Sequence, residues 1–427
     1  MPIFAEILTV GDELLRGDLA DTNGAWLAAR LFRLGITVER IVSLGDPLGA
    51  LVEYLSEAIQ RGRLVLVTGG LGPTEDDRTS EAVARAAGAP LELRQPVLDA
   101  LHERFERSGF TFTPNNEKQA HLPHGAVLVP NPRGTAPGFM VRAGQARIVC
   151  MPGVPSEMKG MFEETVAPLL VQELEGVRPA RTRVLRTFGM GESQIDQRLS
   201  GVLDELESGE ISLSLHYRTS FPENHVMLVV RGGDARAGEL LDRFEEEARR
   251  RLGERVVYGV DDTTFSDAVV AALREAGATV ALAESCTGGL AADLLTGASG
   301  SSAVFELGVV TYSNTFKHRI LGVPEQVLEQ HGAVSRECVL AMARGVRELA
   351  GSTFGVAISG IAGPTGGSPD KPVGTVHFAL CHEGGERHVE RRFPWKERRR
   401  IKEISAHVAL ALVLGQLKAG PDAGGRS

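Results

Sequence analysis

The sequence predicts an α/β protein of three successive domains, on three observations. Over residues 1–172 short apolar runs of strand length alternate with segments of helical periodicity, which implies a parallel sheet covered on both faces, a three-layer α/β domain. Over 180–259 the order becomes β-α-β-β-α-β, the split βαβ arrangement of a small two-layer α+β domain. Over 263–418 a helix, a strand, a serine-bearing turn and a second helix open a third α/β unit. The 427 residues exceed one ordinary core, at roughly 150 residues per domain.

In the first domain residues 3–10 read as a buried strand, 23–34 as a helix, 37–43 as a strand, 48–61 as a helix and 63–68 as a strand. Sheets of this kind bind ligands at the carboxyl ends of their strands, where the glycine-rich loops fall here. Residues 175–179 read as a linker. The second domain runs strand 183–188, helix 192–206, strands 211–217 and 225–232, helix 235–252 and strand 256–258. It carries no glycine-rich loop and no acidic cluster, and reads as a spacer or dimerisation module. In the third, helix 265–276 and strand 279–283 lead to the turn at 284–289, and a helix starts at Leu290. The small, polar tail at 419–427 is expected to be disordered.

Hydrophobic residues make up 43% and charged residues 24% of the chain, the balance of a globular protein. A net charge of -9, from 55 acidic and 46 basic residues, argues against a broad nucleic-acid-binding surface. Cys150, Cys286, Cys338 and Cys381 form no C-x-x-C pair, which fits a reducing compartment and no zinc or disulfide framework. No basic-then-apolar leader is read, and the longest apolar runs fall short of the ~20 residues of a bilayer span. The expectation is a soluble, cytoplasmic protein without a membrane partner.

Ala283-Glu284-Ser285-Cys286-Thr287-Gly288-Gly289 carries the most chemistry. A strand ending in serine exposes a hydroxyl at the sheet's carboxyl edge, and the N–H groups of Gly288 and Gly289 fall near a positive helix N-terminus, suited to an oxyanion or a phosphate. Ser285 and Thr287 also read as helix N-caps, and the turn alone does not separate the two. No histidine lies nearby to serve as base. Tyr312 and Lys317 follow, and a desolvated lysine can take that role, though a solvated surface lysine is commoner. Ser301 and Ser302 offer a further hydroxyl, and Cys286 is a rival nucleophile.

In the first domain, Gly69-Gly70-Leu71-Gly72-Pro73-Thr74-Glu75-Asp76-Asp77 follows a strand. Glycine loops cradle phosphates, and Asp76 and Asp77 suit a hard divalent cation, or else cap the next helix. Asp12, in Gly11-Asp12-Glu13, adds a second acidic loop at the same edge. Gly70-Leu71-Gly72-Pro73-Thr74 has an echo in Ile361-Ala362-Gly363-Pro364-Thr365, each just beyond an apolar strand. The echo reads either as chance similarity of two turns or as a shared way of gripping phosphate.

Ala-Glu-Ser-Cys-Thr-Gly-Gly, then Gly-Ser-Ser, Thr-Tyr-Ser-Asn, Leu-Gly-Val, Gly-Ala-Val-Ser and Gly-Ile-Ala-Gly-Pro together resemble the nicotinamide mononucleotide deamidase domain of the CinA family, over 265–417. The resemblance implies hydrolysis of the nicotinamide carboxamide to nicotinic acid mononucleotide and ammonia. It makes Ser285 the nucleophile and Lys317 its base, with Tyr312 and Ser302 orienting the reacting groups. Thr287, Gly288, Gly289, Ser359, Gly360, Gly363 and Arg399, from the run Arg398–Arg400, would then hold the nucleotide, with no cofactor for this domain. The family's usual glycine-aspartate-arginine reads Trp395-Lys396-Glu397 here, which blurs the register of the arginine.

Residues 3–170 resemble the family's molybdopterin-binding-like front domain, associated with metal-dependent ADP-ribose pyrophosphatase activity. The resemblance gives Asp76, Asp77 and Asp12 the divalent cation (Mg2+ or similar), with Asp77 also organising the attacking water. Gly69, Gly70, Gly72, Thr74, Lys118 and Thr135 would hold substrate. Pterin binding is the alternative for this domain, and a nucleic-acid-binding role in DNA uptake is the alternative for the whole chain. A homodimer is the expected assembly.

Overall fold

The computed structural model describes residues 3–174, 177, 179–206, 209, 211–232 and 234–419, without the side chains of residues 234, 235 and 419. The tail at 420–427 and residues 175, 176 and 178 of the expected linker lie outside the described residues. The chain divides into two compact units, Met1–Arg181 and Thr182–Ser427, so the second and third predicted domains pack as one.

The first unit is a three-layer α/β domain. β1 (Phe4–Val10), β2 (Thr37–Leu44), β3 (Leu64–Thr68), β6 (Val127–Val129), β7 (Gly138–Ala143) and β8 (Ala146–Met151) form a sheet of order β2-β1-β3-β8-β7-β6. Its first four strands are parallel, and β7 and β6 add antiparallel. β4 (Leu91–Leu93) and β5 (His121–Pro123) pair separately. Strand alternation sends Ala5, Ile7, Leu64 and Leu66 to one core, under the helices Thr22–Arg33 and Pro155–Met161. Leu8, Val10, Val65 and Val67 face the other core, under Leu48–Gln60 and Thr79–Ala86. Fully burying each such side chain contributes about 1.5–3 kcal/mol, which makes two-sided cover the stable arrangement for these apolar strands. The chain leaves β1 toward β2 and later returns to β3 on its other side. The loops after β1 and β3 therefore part at the carboxyl edge and open a crevice there.

The second unit opens with a two-layer α+β segment. β9 (Arg181–Thr187), β10 (Ser212–Ser220), β11 (Glu223–Arg231) and β12 (Val257–Val260) form a sheet of order β10-β11-β9-β12, under the helices Glu192–Leu199 and Asp234–Leu252. The single helix expected over 192–206 breaks at Gly201, whose φ of 75° is left-handed, and resumes as Val202–Glu205.

The rest of this unit is a five-stranded sheet of order β14-β13-β15-β16-β17: β13 (Val280–Glu284), β14 (Phe305–Val310), β15 (Phe354–Gly360), β16 (Thr375–His382) and β17 (Gly385–Arg392). β13 is parallel to β14 and β15, and β16 and β17 continue antiparallel. One face carries Val280, Leu282, Val356, Ile358 and Phe378 against the long helix Arg398–Ala419. The other carries small side chains, Ala281, Ala283, Ala357 and Ala379, against Arg336–Ala350. Small residues let that helix come close. A Cβ on its Gly345 would sit 1.9 Å from the Leu321 carbonyl oxygen, at the end of the helix Asn314–Leu321.

Gly345→Ala is therefore expected to destabilise the protein by about 1–3 kcal/mol, the cost of overpacking a rigid contact. Gly415→Ala, in the same unit's last helix with open space around its Cβ position, is expected to stabilise by about 0.4–1 kcal/mol. Urea unfolding followed by circular dichroism measures both.

Candidate active sites

At the carboxyl edge of β13 the chain turns sharply, and Ser285 is held by its N–H on the Ile358 carbonyl at 3.0 Å. Gly288 and Gly289 have φ of 63° and 95°, backbone that side chains other than glycine rarely adopt. Their N–H groups are not free as the sequence suggests. Gly288 donates to the Ser285 carbonyl, and Gly289 donates to Glu284 Oε2 at 3.0 Å. Glu284, 1% exposed, also accepts from Ala291 and Ala292, so its carboxylate caps the helix Leu290–Thr296. The N–H of Thr287, in the turn itself, has no acceptor among the described residues, and that of Cys286 faces its own thiol. Thr287 is fully buried and its hydroxyl is without a partner among them.

Lys317 points into this turn from the Asn314–Leu321 helix and is 1% exposed. Its Nζ lies 3.1 Å from Ser285 Oγ, 2.7 Å from the Thr311 carbonyl and 3.3 Å from the Tyr312 carbonyl. Among the described residues no carboxylate pairs with it, and burial pushes its pKa below the usual lysine value. A neutral amine has two N–H donors and one lone pair. With the Thr311 and Tyr312 carbonyls accepting from Nζ, a neutral amine at this place would keep its lone pair for the serine hydroxyl. Burial pushes the thiol of the rival nucleophile Cys286 up to about 12, which disfavours its thiolate near neutral pH.

Other expected residues sort by where the fold puts them. Tyr312 is 63% exposed, and its hydroxyl meets Arg398 Nη2 at 3.0 Å rather than the reacting groups. Arg398 also donates to the Gly363 carbonyl at 2.8 Å, so Arg398 ties the mouth of the site together. Arg399 instead pairs with Glu403 along its own helix. Ser302 is misplaced. It precedes β14, which is parallel to β13, and so sits at the amino edge of the sheet, roughly 17 Å of strand from Ser285. Ser359 Oγ is spent on the Ala333 carbonyl at 2.6 Å, and Gly360 is packed against Val376 and Thr375. Lys402 was not foreseen, yet its Nζ lies 3.6 Å from where a Gly288 Cβ would be.

In the first unit, the loop after β3 folds back on β1. A Cβ on Gly69 would meet the Val10 carbonyl at 2.2 Å, and one on Gly72 would meet Asp77 at 2.4 Å. Asp77 accepts from the Thr74 N–H at 2.9 Å and hydroxyl at 2.5 Å, while Lys118 Nζ reaches the Thr74 carbonyl at 2.5 Å. The loop divides two cavities. One, of about 360 Å3, is lined by Gly69, Gly70, Gly72, Asp76, Asp77 and Thr135 together with Glu13, Asp46 and Glu157. The other, of about 410 Å3, is lined by Gly70, Gly72, Lys118 and Gln119. Asp12 is turned aside, its carboxylate accepting from the Asp46 N–H at 3.1 Å. Asp46 takes its place at the cavity: burial raises its pKa, and the charges of Asp12, Asp76 and Glu13 raise it further. Gln119 Oε1 and Asn23 Oδ1 are buried without partners among the described residues. The sequence reading passed over both, because single amides in helical segments carry no pattern.

An excess of carboxylate oxygen is the chemistry of a hard cation. Among the described residues, however, no three acidic or histidine side chains converge to ligate one. The donors present fit an ion of the Mg2+ kind, which takes one or two carboxylates and completes its shell with water and substrate phosphate.

Comparison with known proteins gives three family matches: the CinA C-terminal domain over residues 262–417, a probable molybdopterin binding domain over 6–172, and the damage-inducible protein CinA KH domain over 182–259. A CinA-like protein of Anaeromyxobacter sp. (strain Fw109-5) is 47% identical over 97% of this chain and 99% of its own length. One from Geobacter sulfurreducens is 45% identical over 94% and 96%. Among solved structures, the competence/damage inducible protein CihA of Agrobacterium tumefaciens is 42% identical, covering 36% of this chain and 94% of its own, with a TM-score of 0.35. CinA of Thermoplasma acidophilum, of unknown function, is 31% identical over 39% and 98%, with a TM-score of 0.37.

The Glu284 cap makes a prediction independent of the reaction. Glu284→Gln keeps the shape but replaces charge-assisted bonds and turns an NH2 toward backbone N–H groups. A loss of about 2 kcal/mol is expected in urea unfolding.

Proposed function

We propose, for a chain that belongs to the CinA family, that the Ser285–Lys317 site is an amidohydrolase centre acting on nicotinamide mononucleotide, and that the first unit hydrolyses the diphosphate of ADP-ribose. The observation that carries the first part is the contact of a buried, carboxylate-free lysine amine with Ser285 Oγ. Lys317 Nζ takes the hydroxyl proton as Oγ attacks the carboxamide carbon. The negative oxygen that forms is received by the Cys286 and Thr287 N–H groups. The lysine ammonium then returns its proton to the departing nitrogen, which leaves as ammonia, and an ester on Ser285 remains. Water, deprotonated by the same amine, cleaves the ester to the nicotinic acid product and restores the serine. Arg398 and Lys402, the cations beside the turn, pair with the nucleotide phosphate.

In the first unit, Asp46 and Asp76 would hold a divalent ion, which when bound offsets the charge of a diphosphate. The glycine loop presents backbone rather than side chain to that diphosphate, because β-carbons at Gly69 and Gly72 have no room. Asp77 keeps the loop in shape through Thr74, and Lys118 braces it from the far side.

Ammonia release from nicotinamide mononucleotide tests the first part. Ser285→Ala and Lys317→Met are each expected to lower kcat by ~10²–10⁴-fold or more, and Cys286→Ala to leave it near wild type. Lys317→Arg is expected to be equally inactive, since a guanidinium does not give up its proton. Because burial lowers the Lys317 pKa, kcat/KM should rise with pH through that lowered value and level off below the ordinary lysine value of about 10.4. No ammonia from folded wild-type protein would overturn this reading. For the first unit, Asp77→Asn and Asp46→Asn are expected to abolish Mg2+-dependent cleavage of ADP-ribose while ammonia release persists. Retained ADP-ribose cleavage in both variants would sink that assignment.

A further inference from the structure

A cavity of about 570 Å3 lies inside the second unit, between the split-βαβ segment and the Arg398–Ala419 helix, and the chemistry above makes no use of it. Strand alternation builds one wall. Arg387, Val389 and Arg391 share a face of the edge strand β17, and Phe393 and Trp395 continue that wall beyond the strand. Phe221, at the turn between β10 and β11, and Ile404 and Val408 of the long helix complete the lining. The rings are already arranged. Trp395 lies nearly parallel to Phe393, 18° between planes with centroids 5.9 Å apart, and meets Phe221 edge-on at 5.1 Å.

The charges on this cavity are one-sided. Arg255, Arg387 and Arg391 line it, and among the described residues none of the three forms an ion pair. Glu223 is the acid in the lining, and its carboxylate is already committed to Tyr258 at 2.7 Å and His225 at 3.2 Å. Among the described residues Arg391 donates only to the Glu390 carbonyl, and Arg400 also stands over the Phe221 and Trp395 rings of the wall. Guanidiniums without a carboxylate partner beside such an aromatic wall match a ligand with a flat apolar body and a negative end: the wall receives the body and the arginines the charge. The volume falls in the ~300–1,000 Å3 range of small-molecule sites.

We propose that this cleft is a second small-molecule site, for a planar aromatic anion: a ring system bearing a carboxylate, sulfonate or phosphate. It is separate from the Ser285 turn and does not depend on the reaction assigned there.

The test uses 8-anilinonaphthalene-1-sulfonate as the probe and full-length protein. The chain has two tryptophans, Trp26 in the first unit and Trp395 in the cleft wall. In a Trp26→Phe background, excitation of tryptophan reports only a probe close to Trp395, through energy transfer to the naphthalene. Saturable transfer is expected. Arg387→Glu with Arg391→Glu should weaken binding at least about tenfold, a change worth 1.4 kcal/mol, with circular dichroism unchanged. Uncharged N-phenyl-1-naphthylamine should likewise bind at least about tenfold more weakly than the sulfonate. No transfer from Trp395 would overturn the proposal. Equal binding of the neutral probe, or charge-reversed protein that binds as wild type, would reduce the cleft to an apolar surface and overturn it too.

Discussion

A buried lysine without a counter-charge is the constraint around which the C-terminal site is organised. Sealing an ammonium away from water costs several kcal/mol, and a paired carboxylate is the usual compensation. Lys317 has backbone carbonyls instead, from Thr311 and Tyr312, at the point where β14 ends and the next helix begins. Carbonyls accept from an amine in either protonation state, but they do not stabilise the charge as an anion would. Burial therefore lowers the pKa of an amine that stands 3.1 Å from Ser285 Oγ. The surrounding packing serves this placement. The alanine face of the sheet and the missing side chain at Gly345 bring two helices close enough to shut water out of the pocket.

The same topology appears in both units. In each, the first strand of the sheet is flanked by the second on one side and the third on the other, as β2-β1-β3 and as β14-β13-β15. Such an order parts the loops at the carboxyl edge and leaves a crevice there. The two Gly-Pro-Thr loops follow β3 and β15, which occupy equivalent places in the two sheets. Their geometry then diverges. Gly72 backs onto a carboxylate of its own loop, whereas the Gly363 carbonyl is held by an arginine from a distant helix. The likeness is one of position in the sheet, and the contacts differ.

Strand and helix placement was legible because apolar runs and glycine turns punctuate this sequence clearly, and Ser285 and Lys317 were legible because the motif sets them in order. What escaped depends on direction and register. Ser302 and Lys317 stand on opposite sides of one strand in sequence, and only the parallel pairing of β14 with β13 sends them to opposite edges. Gly288 and Gly289 looked like free donors because the buried Glu284 that captures the helix start lies just ahead of the serine, where it read as part of the motif. Arg398, Arg399 and Arg400 cannot be ranked from sequence. One residue of helical rotation sends Arg398 to Gly363, Arg399 to Glu403, and Arg400 over the rings of Phe221 and Trp395. Asp46 lines the cavity where Asp12 was expected for a similar reason, since loops from two strands meet at one edge and the spacing within one loop does not say which acid faces inward.

The split-βαβ segment reads as a spacer or dimerisation module, and its contacts give it a structural share in the second unit. Phe188 and Tyr258 belong to its strands' ends and pack on Phe265 of the following segment, in one continuous core. Glu223 accepts from Tyr258 and His225 and lies 3.5 Å from His407 on the long helix. Although burial raises its pKa, those three partners hold it down at about 2, so it stays ionised in this junction. The Arg398–Ala419 helix thus carries three anchors: Arg398 at the mouth of the serine site, His407 at Glu223, and Lys418 on the Glu254 and Val257 carbonyls. The helix is thereby held near both ends and at its middle. Through these contacts the split-βαβ segment shares a helix with Arg398, the cation at the mouth of the Ser285 site.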